Sequence, residues 1–432
     1  MAEPPQLKRE ITLPAAVMLG LGSIVGTGIF VSIGVAAGVA GAGVLPAIVV
    51  AGLLAICNGL SSAQLAAAHP VSGGTYEYGY RWLTPLAGFV AGWLFLCAKV
   101  ASAATAALGL AAYLQTGTAL PDGDGTRIVL ALTGLGGLTL IVVLGIRRTT
   151  LVNTAIVGLT LAALLMLVTA GLVPAMQATA EQAGESGGGP TVWRDVLAAA
   201  ALMFVSFTGY GRIATLGEEV RRPRQTIPRA MIVTLVVTLV LYLLVGLVAV
   251  GLVGPTALAG ATADQASPLW FVATTLQIPW LAGLLSVAAI TAMLGVVLNL
   301  LLGISRVVLA MARRGDMPRS FSRIDRRGVP LPATLLVSGL IAALVLIGDI
   351  RVSWSFSAVT VLVYYGMTNG CVLRMAREER LYPAWIAWCG LAGCFSLALF
   401  VEPEIGIAAT IVTIVGLLWR AGWQRLAARR HR

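Results

Sequence analysis

Twelve apolar stretches of membrane-spanning length follow one another along this chain of 432 residues. A helix needs about 20 mainly apolar residues to cross the hydrocarbon core of a bilayer. Only 11% of the residues are charged, against about 25% in an average soluble domain, so water is a poor solvent for this surface. The sequence therefore predicts an all-α polytopic membrane protein. The predicted spans cover residues 12–40, 43–68, 85–116, 128–146, 149–172, 195–218, 230–253, 280–312, 331–348, 353–374, 383–400 and 405–422.

The basic residues are distributed unevenly between the loops that join these spans. The chain has 29 Lys and Arg residues and 18 Asp and Glu residues, and its net charge is +11. With the N-terminus in the cytoplasm, 23 of the 29 cations fall in cytoplasmic loops or at the cytoplasmic ends of spans, three in outer loops and three deeper inside spans. Because cytoplasmic loops are rich in Lys and Arg, we predict a multi-pass protein of the cell membrane with both termini cytoplasmic. The scattered cations suit lipid headgroups, and we expect no binding to nucleic acid.

Residues that could bind a metal or perform catalysis are few. All five cysteines fall within apolar spans, where a free buried thiol is the expected form. The two histidines, His69 and His431, are far apart in the chain and stand in no metal-binding pattern. We therefore expect no metal, no cofactor and no enzymatic activity.

The first predicted span contains an interruption at mid-depth. Residues 20–30 read GLGSIVGTGIF, with four glycines in nine residues and two hydroxyl side chains. Glycine weakens a helix, and backbone groups freed inside a membrane must be buried in protein or line a wet cavity. Two of the glycines have the spacing of a GxxxG packing motif, but packing alone does not account for the further glycine or the hydroxyl groups.

A matching interruption lies in the sixth span. Residues 204–211 read FVSFTGYG, again with paired glycines and small hydroxyl side chains. Matching breaks in two halves of a chain indicate an inverted-repeat transporter with a binding site at the membrane midplane, which suits alternating access better than a channel. We therefore predict one transmembrane domain over residues 1–432. Helices 1–5 occupy about 12–172, helices 6–10 about 195–374, and two extra helices about 383–422.

Four segments resemble the amino acid–polyamine–organocation (APC) superfamily of transporters. Residues 20–30 follow its GxGxxxGxGIF pattern, and residues 70–76, PVSGGTY, are similar to its PxxGGxY pattern. Residues 218–229, EEVRRPRQTIPR, resemble EEVxxPxRxIPRA after span six, and residues 305–318 resemble the end of span eight. The segments keep the superfamily's order and spacing over most of the chain. The resemblance implies a five-plus-five inverted repeat with two extra helices, in a bacterial permease for amino acids or related amines.

The resemblance also implies a substrate site at the two breaks. The carboxylate of an amino acid would meet the N–H groups at the start of a half-helix, and its ammonium group would meet unwound carbonyl groups. By motif position, Thr27 and Gly28 would hold the carboxylate. An aromatic lid of several relatives is replaced here by Val205, so Phe207 or Phe204 would take its place unless both only pack between helices. The expected substrate-binding residues are Ile24, Gly26, Thr27, Gly28, Ser102, Val205, Ser206, Phe207, Thr208 and Gly209.

Two residues bear on ion coupling. Some relatives carry a glutamate in span three at the position of Ala98, and the next residue here, Lys99, lies about 21 Å of helix from Pro85. Ionisable residues at this depth are functional candidates, because burial lets an amine release and rebind a proton, although Lys99 could instead only join helices. Many sodium-independent relatives have a lysine in span five where this chain has Thr160, and span eight lacks the hydroxyl pair that sodium would prefer. We therefore predict sodium-independent transport in which Lys99 replaces that lysine, with the proton as a candidate coupling ion.

Charged residues at the inner end of span six are candidates for gating. Arg212 follows the break and could face the pathway or extend to the cytoplasm, while Glu218 and Glu219 could pair with basic residues across the entrance. A pocket without an acid disfavours cationic substrates and favours neutral or acidic amino acids. A carrier of another small amine, or a sensor that binds an amino acid without moving it, is the alternative. The sequence predicts no particular oligomeric state.

Overall fold

The structure of this chain is a computed structural model that describes residues 11–430 apart from 72, 117, 119–120, 122, 146–149, 186–191, 216–219 and 266. In these ranges the backbone forms helices, short 3-10 turns and connecting loops, and the pairing of Ile11 with Val220 is the one isolated β-bridge. The helices are α1 (Leu13–Ile24), α2 (Thr27–Phe30), α3 (Ser32–Ala40), α4 (Val44–Ala68), α5 (Thr75–Trp82), α6 (Pro85–Thr116), α7 (Asp124–Val143), α8 (Thr150–Glu185), α9 (Trp193–Phe207), α10 (Gly211–Thr215), α11 (Pro223–Gln265), α12 (Pro268–Thr275), α13 (Pro279–Arg314), α14 (Leu331–Val345), α15 (Ile350–Arg374), α16 (Ala384–Ala398) and α17 (Pro403–Arg430).

The surface of these helices is apolar over lengths that suit a bilayer. In the described part of the chain, nine helical segments are long and apolar enough to cross a membrane, and α1, α14 and α16 are shorter apolar helices. Large apolar side chains such as Leu53, Val129 and Leu399 are exposed on the outside, where lipid is the expected neighbour. The prediction of an all-α polytopic membrane protein is confirmed. The count of twelve spans and the internal repeat stay predictions.

Helix α6 lies at the centre of the bundle. It packs mainly against α13 and α15, and most of its apolar middle section is buried. Lys99, on this helix, therefore lies inside the protein rather than against lipid. The interrupted spans pack around the same centre, since α1 and α3 contact α11 while α9 contacts α3, α4 and α15.

A buried carboxylate ties the last helix to the end of α13. Gly315, with φ of 84°, ends α13 in a left-handed turn that glycine adopts readily, and Asp316 follows with only 2% of its surface exposed. The Oδ2 atom of Asp316 accepts hydrogen bonds from the hydroxyls of Tyr76, at 3.0 Å, and Tyr80, both in α5. The Nε atom of Arg420 in α17 lies 3.4 Å from Oδ1. Helices α5, α13 and α17 are therefore joined through one charged side chain.

Candidate functional site

The interruption predicted in span one is present at Val25 and Gly26. Helix α1 ends at Ile24, Gly26 has φ of −171° and ψ of −122°, and α2 begins at Thr27. A β-carbon at Gly26 would lie 2.6 Å from the Cγ2 atom of Val296 in α13, closer than real β-carbons approach a neighbour. Glycine is needed here because α13 packs against the bare backbone of the break.

The interruption in span six is a single 3-10 turn. Helix α9 ends at Phe207, the turn covers Thr208–Tyr210, and α10 begins at Gly211. A β-carbon at Gly209 would lie 2.5 Å from the carbonyl carbon of Ser23 in α1. The two interrupted spans therefore touch backbone to backbone at this glycine.

Tyrosine hydroxyls hold several carbonyl groups at the breaks. The hydroxyl of Tyr242 in α11 donates to the carbonyl oxygens of Ile24, at 3.1 Å, and Ser206, at 3.4 Å. The hydroxyl of Tyr365 in α15 donates to the carbonyl oxygen of Thr208 at 3.2 Å. These bonds satisfy backbone acceptors at the ends of helical segments, as the interior of a membrane protein requires.

Hydroxyl side chains also join α3 to α9. Ser32 and Ser206 share a hydrogen bond of 2.6 Å between their Oγ atoms, and Ser32 also donates to the carbonyl oxygen of Gly28. In contrast, the Oγ1 atom of Thr27 is buried and has no hydrogen-bond partner among the described residues. Buried polar atoms nearly always have a partner, so Thr27 is a candidate for binding a ligand.

A cavity of about 980 Å³ extends from the two breaks toward the basic loops. Away from the breaks it is lined by Gly73 and Gly74 in the α4–α5 loop, by the end of α13 and by residues 327–330 before α14. This side is the one for which the charge distribution predicts a cytoplasmic location. The breaks are therefore accessible from that side.

Aromatic side chains close the other side of the breaks. Trp354 and Tyr364 both line the cavity from α15, and Trp354 lies about 15 Å closer to the start of that helix. The indole N–H of Trp354 donates to the carbonyl oxygen of Leu202 at 3.0 Å. Next to span one, the ring of Tyr113 packs edge-on against that of Phe30 with centroids 5.8 Å apart. The Tyr113 hydroxyl donates to the Phe30 carbonyl oxygen at 3.0 Å, and both side chains are fully buried. Within the described ranges, the site is open toward the basic loops and closed on the other side, where no residue of the outer helix ends lines the cavity.

Lys99 places an ammonium group at the span-six break. The residue is 7% exposed and lines the cavity, and its Nζ atom donates to the Oγ1 atom of Thr208 at 2.8 Å. That Oγ1 atom donates in turn to the carbonyl oxygen of Val205 at 2.7 Å. Among the described residues, no carboxylate forms an ion pair with Lys99. A buried cation without an anionic partner is costly inside a membrane protein and indicates a function.

Comparison with known proteins decides the family. The sequence model described as amino acid permease matches residues 15–424. The chain belongs to the amino acid permease family. The resemblance to the APC superfamily is therefore confirmed over nearly the whole chain.

The relatives of this permease are transporters. An uncharacterized transporter of Mycobacterium tuberculosis is 38% identical over 432 residues, which cover 99% of this chain and 94% of the relative. A branched-chain amino acid permease of Bacillus subtilis is 30% identical over 362 residues, which cover 78% of this chain and 75% of the relative. A vacuolar cationic amino acid transporter of Arabidopsis thaliana is 26% identical over 388 residues, which cover 86% and 64% of the two chains. The names of these relatives differ in substrate charge, so they do not fix the substrate of this permease.

Most of the predicted substrate-binding residues of this permease meet at the cavity. Two of them do not line it. Gly26 packs against α13, and the buried ring of Phe207 packs against Tyr242 with centroids 5.0 Å apart. A role for Phe207 as a lid stays a prediction. The predicted residues that line the cavity are Ile24, Thr27, Gly28, Ser102, Val205, Ser206, Thr208 and Gly209.

The predicted coupling and gating residues lie at different places. Lys99 and Arg212 line the cavity. Thr160 is buried in α8, where its hydroxyl donates to a carbonyl oxygen of its own helix at 2.8 Å, and it is not part of the cavity lining. Glu218 and Glu219 lie outside the described residues.

Helix α15 contributes side chains that sequence reasoning missed. Trp354, Tyr364 and Tyr365 line the cavity, and Ser357 shares a hydrogen bond of 2.7 Å with Ser102. The corresponding span has neither a break nor a charge at mid-depth, the two features that mark such a site in a sequence. A usable signal was the run of hydroxyl and aromatic side chains in residues 353–365, SWSFSAVTVLVYY.

The open end of the cavity carries mainly positive charge. Its acidic side chain in the described ranges is Glu77, which forms an ion pair with Arg314 through two hydrogen bonds, one of them 3.1 Å between Nε and Oε1. Arg306 and Arg313 lie seven residues apart on α13 and line the same wall, about two helical turns from each other. The entrance is therefore basic as far as the structure describes it.

Metal-binding side chains are dispersed in the described ranges. No group of three or more His, Cys, Asp or Glu side chains lies close enough there to hold a metal ion. The cysteines are free thiols, and they lie on four different helices. That this permease needs no metal or cofactor stays a prediction.

Proposed function

We propose that this permease is a secondary transporter that moves amino acids across the cytoplasmic membrane by alternating access. The observation that carries the proposal is the meeting of two helix breaks at one cavity that is open on one side and closed on the other. Midplane sites between interrupted helices are typical of carriers whose halves rock around a bound substrate. Membership of the amino acid permease family supports the same function.

The proposal includes an orientation in the membrane. Both termini lie in the cytoplasm, because most basic residues belong to loops on that side. The cavity then opens to the cytoplasm, and the described conformation is the inward-open one. A single domain with a five-plus-five repeat and two extra helices, α16 and α17, accommodates this arrangement.

The two breaks provide complementary groups for an amino acid. Thr27 and Gly28 begin a half-helix, whose first N–H groups have no partner within the helix and suit the substrate carboxylate. The unpartnered hydroxyl of Thr27 adds a further donor. The carbonyl groups of Ile24, Ser206 and Thr208 suit the ammonium group, which shares them with the tyrosine hydroxyls.

Transport is independent of sodium in this proposal. Ala292 and Val296 of α13 contact the span-one break, and residues 292–298, AMLGVVL, supply no side-chain oxygen for a hard cation. Lys99 instead supplies a positive charge when it is protonated, and its hydrogen bond to Thr208 connects that charge to the span-six break. Binding and release of a proton by Lys99 would couple the break to the proton gradient, or the permease would exchange one amino acid for another.

Radiolabelled counterflow in proteoliposomes tests this function. We expect accumulation of one class of amino acid against an unlabelled internal pool, with the same rate in sodium and in choline buffer. We expect Lys99→Ala to lower the counterflow rate at least about tenfold, because the break loses the charge that holds Thr208. We also expect this variant to lose the dependence of the counterflow rate on pH. Sodium-dependent uptake, or a Lys99→Ala protein that keeps the full pH dependence, would contradict the coupling proposal.

Two alternatives predict different results in the same experiment. A carrier of another small amine exchanges that amine and no amino acid. A sensor of the same fold binds an amino acid with a measurable affinity but shows no counterflow. Folding of the protein is checked in each case by its thermal unfolding in detergent.

A further inference from the structure

Carbonyl acceptors at the two breaks are already engaged by the protein. The carbonyl oxygens of Ile24 and Ser206 accept from the hydroxyl of Tyr242, and the carbonyl oxygen of Thr208 accepts from that of Tyr365. A positively charged ligand group would have to share these acceptors, because a carbonyl oxygen has two lone pairs.

Donors at the same place remain available. Thr208 is the one hydrogen-bond partner of Lys99 among the described residues, so two of the three N–H groups of its ammonium have no acceptor there. The buried Oγ1 atom of Thr27, whose residue is 4% exposed, also has no partner in these ranges. Both side chains line the cavity, so the breaks offer a ligand the free N–H donors of Lys99 and a hydroxyl that can donate or accept.

Charge along the cavity has the same sign as Lys99. Among the described lining residues, the acidic side chain is Glu77, and it is engaged by Arg314. A ligand that enters from the loops therefore passes a basic wall before it reaches Lys99. The lining cations in these ranges are Lys99, Arg212, Arg306, Arg313, Arg314 and Arg327.

We propose that the substrate of this permease is an amino acid with a second carboxylate, and that Lys99 binds this side-chain carboxylate. The inference rests on the proposed function, since it names the substrate class of the same site. The α-carboxylate of the substrate binds at Thr27 and Gly28, and its ammonium group shares the carbonyl oxygens of the breaks. Its second carboxylate accepts hydrogen bonds from the two N–H groups of Lys99 that Thr208 leaves available.

Other substrate charges fit the site less well. A neutral amino acid would leave the Lys99 ammonium buried without an anion, and a cationic one would place a like charge beside it. The arginines near the loops are also accounted for by the positive-inside rule. That rule does not account for Lys99, which lies at the break and is buried.

A competition panel in proteoliposomes tests the proposal with the full-length protein. Counterflow of labelled glutamate and aspartate is compared with that of leucine and lysine, and glutamine and asparagine serve as uncharged analogues of nearly the same shape. We expect the acids to be preferred over their amides by at least about tenfold in kcat/KM. Lys99→Met should bring the kcat/KM values for acid and amide within about twofold of each other. The control Arg351→Gln removes an exposed cation that pairs with Glu402, and it should keep the preference for the acid.

The outcomes separate this inference from the proposed function. Counterflow of leucine or lysine without that of glutamate or aspartate overturns the inference and leaves amino acid transport standing. Absence of counterflow for every amino acid, from folded protein, overturns both. A Lys99→Met protein that keeps the acid preference overturns the role of Lys99. If that variant does not fold, the wild-type panel of acids against amides still decides the substrate class.

Discussion

The two helix breaks of this permease are held in different ways. At the span-one break, the bare backbone of Gly26 packs under Val296, and the neighbouring hydroxyl of Thr27 has no partner in the described ranges. At the span-six break, Thr208 is held by the ammonium of Lys99 and the hydroxyl of Tyr365. Both breaks therefore pack closely at a glycine, and the span-six break differs in that it is also held by a hydrogen bond from the charged side chain of Lys99.

This difference suggests that the two breaks have different roles in transport. Close packing against a β-branched side chain leaves few alternative arrangements, so the span-one break suits a rigid platform for the substrate carboxylate. Hydrogen bonds from a lysine and a tyrosine can exchange partners, so the span-six break suits the part that responds to substrate or proton.

The largest effect is expected where the two breaks meet. Gly209→Ala places a β-carbon against the backbone of Ser23, which no side-chain movement can relieve, so we expect a loss of at least about 3 kcal/mol of stability and of transport. The midpoint of thermal unfolding in detergent and the counterflow rate measure the two losses. Gly137→Ala in α7 is the control, because a β-carbon there meets no atom within 4 Å. An active Gly209→Ala protein of wild-type stability would show that the breaks are not in contact.

Packing at the span-one break predicts a rescue. Gly26→Ala should destabilise the protein by about 1–3 kcal/mol, because its β-carbon would overlap the Cγ2 atom of Val296. Adding Val296→Ala removes that atom, so the double variant should match Val296→Ala alone within about 0.5 kcal/mol. Thermal unfolding of the three variants measures the coupling. Additive losses would mean that the span-one break is not set by this contact.

A smaller effect is expected from the hydrogen bonds to the carbonyl groups. Tyr242→Phe removes the donor to Ile24 and Ser206, and since such bonds average about 0.6 kcal/mol in a membrane protein, the loss should be about 1 kcal/mol. The released carbonyl oxygens can then accept from the substrate ammonium, so KM in counterflow should fall. Tyr113→Phe is the matched control, since its hydroxyl holds Phe30 on the closed side and should not affect KM. A higher KM for Tyr242→Phe would instead place that hydroxyl on the substrate.

Much of the fold and half of the site follow from local sequence patterns. Long apolar stretches predict spans because a helix must be apolar to cross the hydrocarbon core of the bilayer. Glycine-rich segments such as residues 20–30 locate a break because glycine both weakens a helix and permits close contact. Lys99 could be singled out because a charge at that depth is rare. These signals lie within one segment, so no knowledge of neighbouring helices is needed to find them.

The remaining features depend on contacts between distant segments. Tyr242 has nothing unusual around it in the sequence, and the run of hydroxyl and aromatic side chains that ends at Tyr365 does not show which group the Tyr365 hydroxyl meets. The roles of both residues arise because their helices place the hydroxyls on carbonyl groups of the breaks. Nor does the sequence show that the ring of Phe207 packs against Tyr242 of α11. Helical periodicity gives too little information to assign one face of a span to a cavity when almost every face is apolar.

The ion pair between Asp316 and Arg420 has a consequence for biosynthesis. Asp316 and its tyrosine partners belong to segments that enter the membrane well before α17, which carries the cation. Until the last helix is inserted, the buried carboxylate lacks that ion-pair partner, and a buried charge without its counter-charge is destabilising. We therefore expect a product that stops before α17 to be less stable than one that contains it, because its Asp316 carboxylate keeps the tyrosine donors but lacks Arg420.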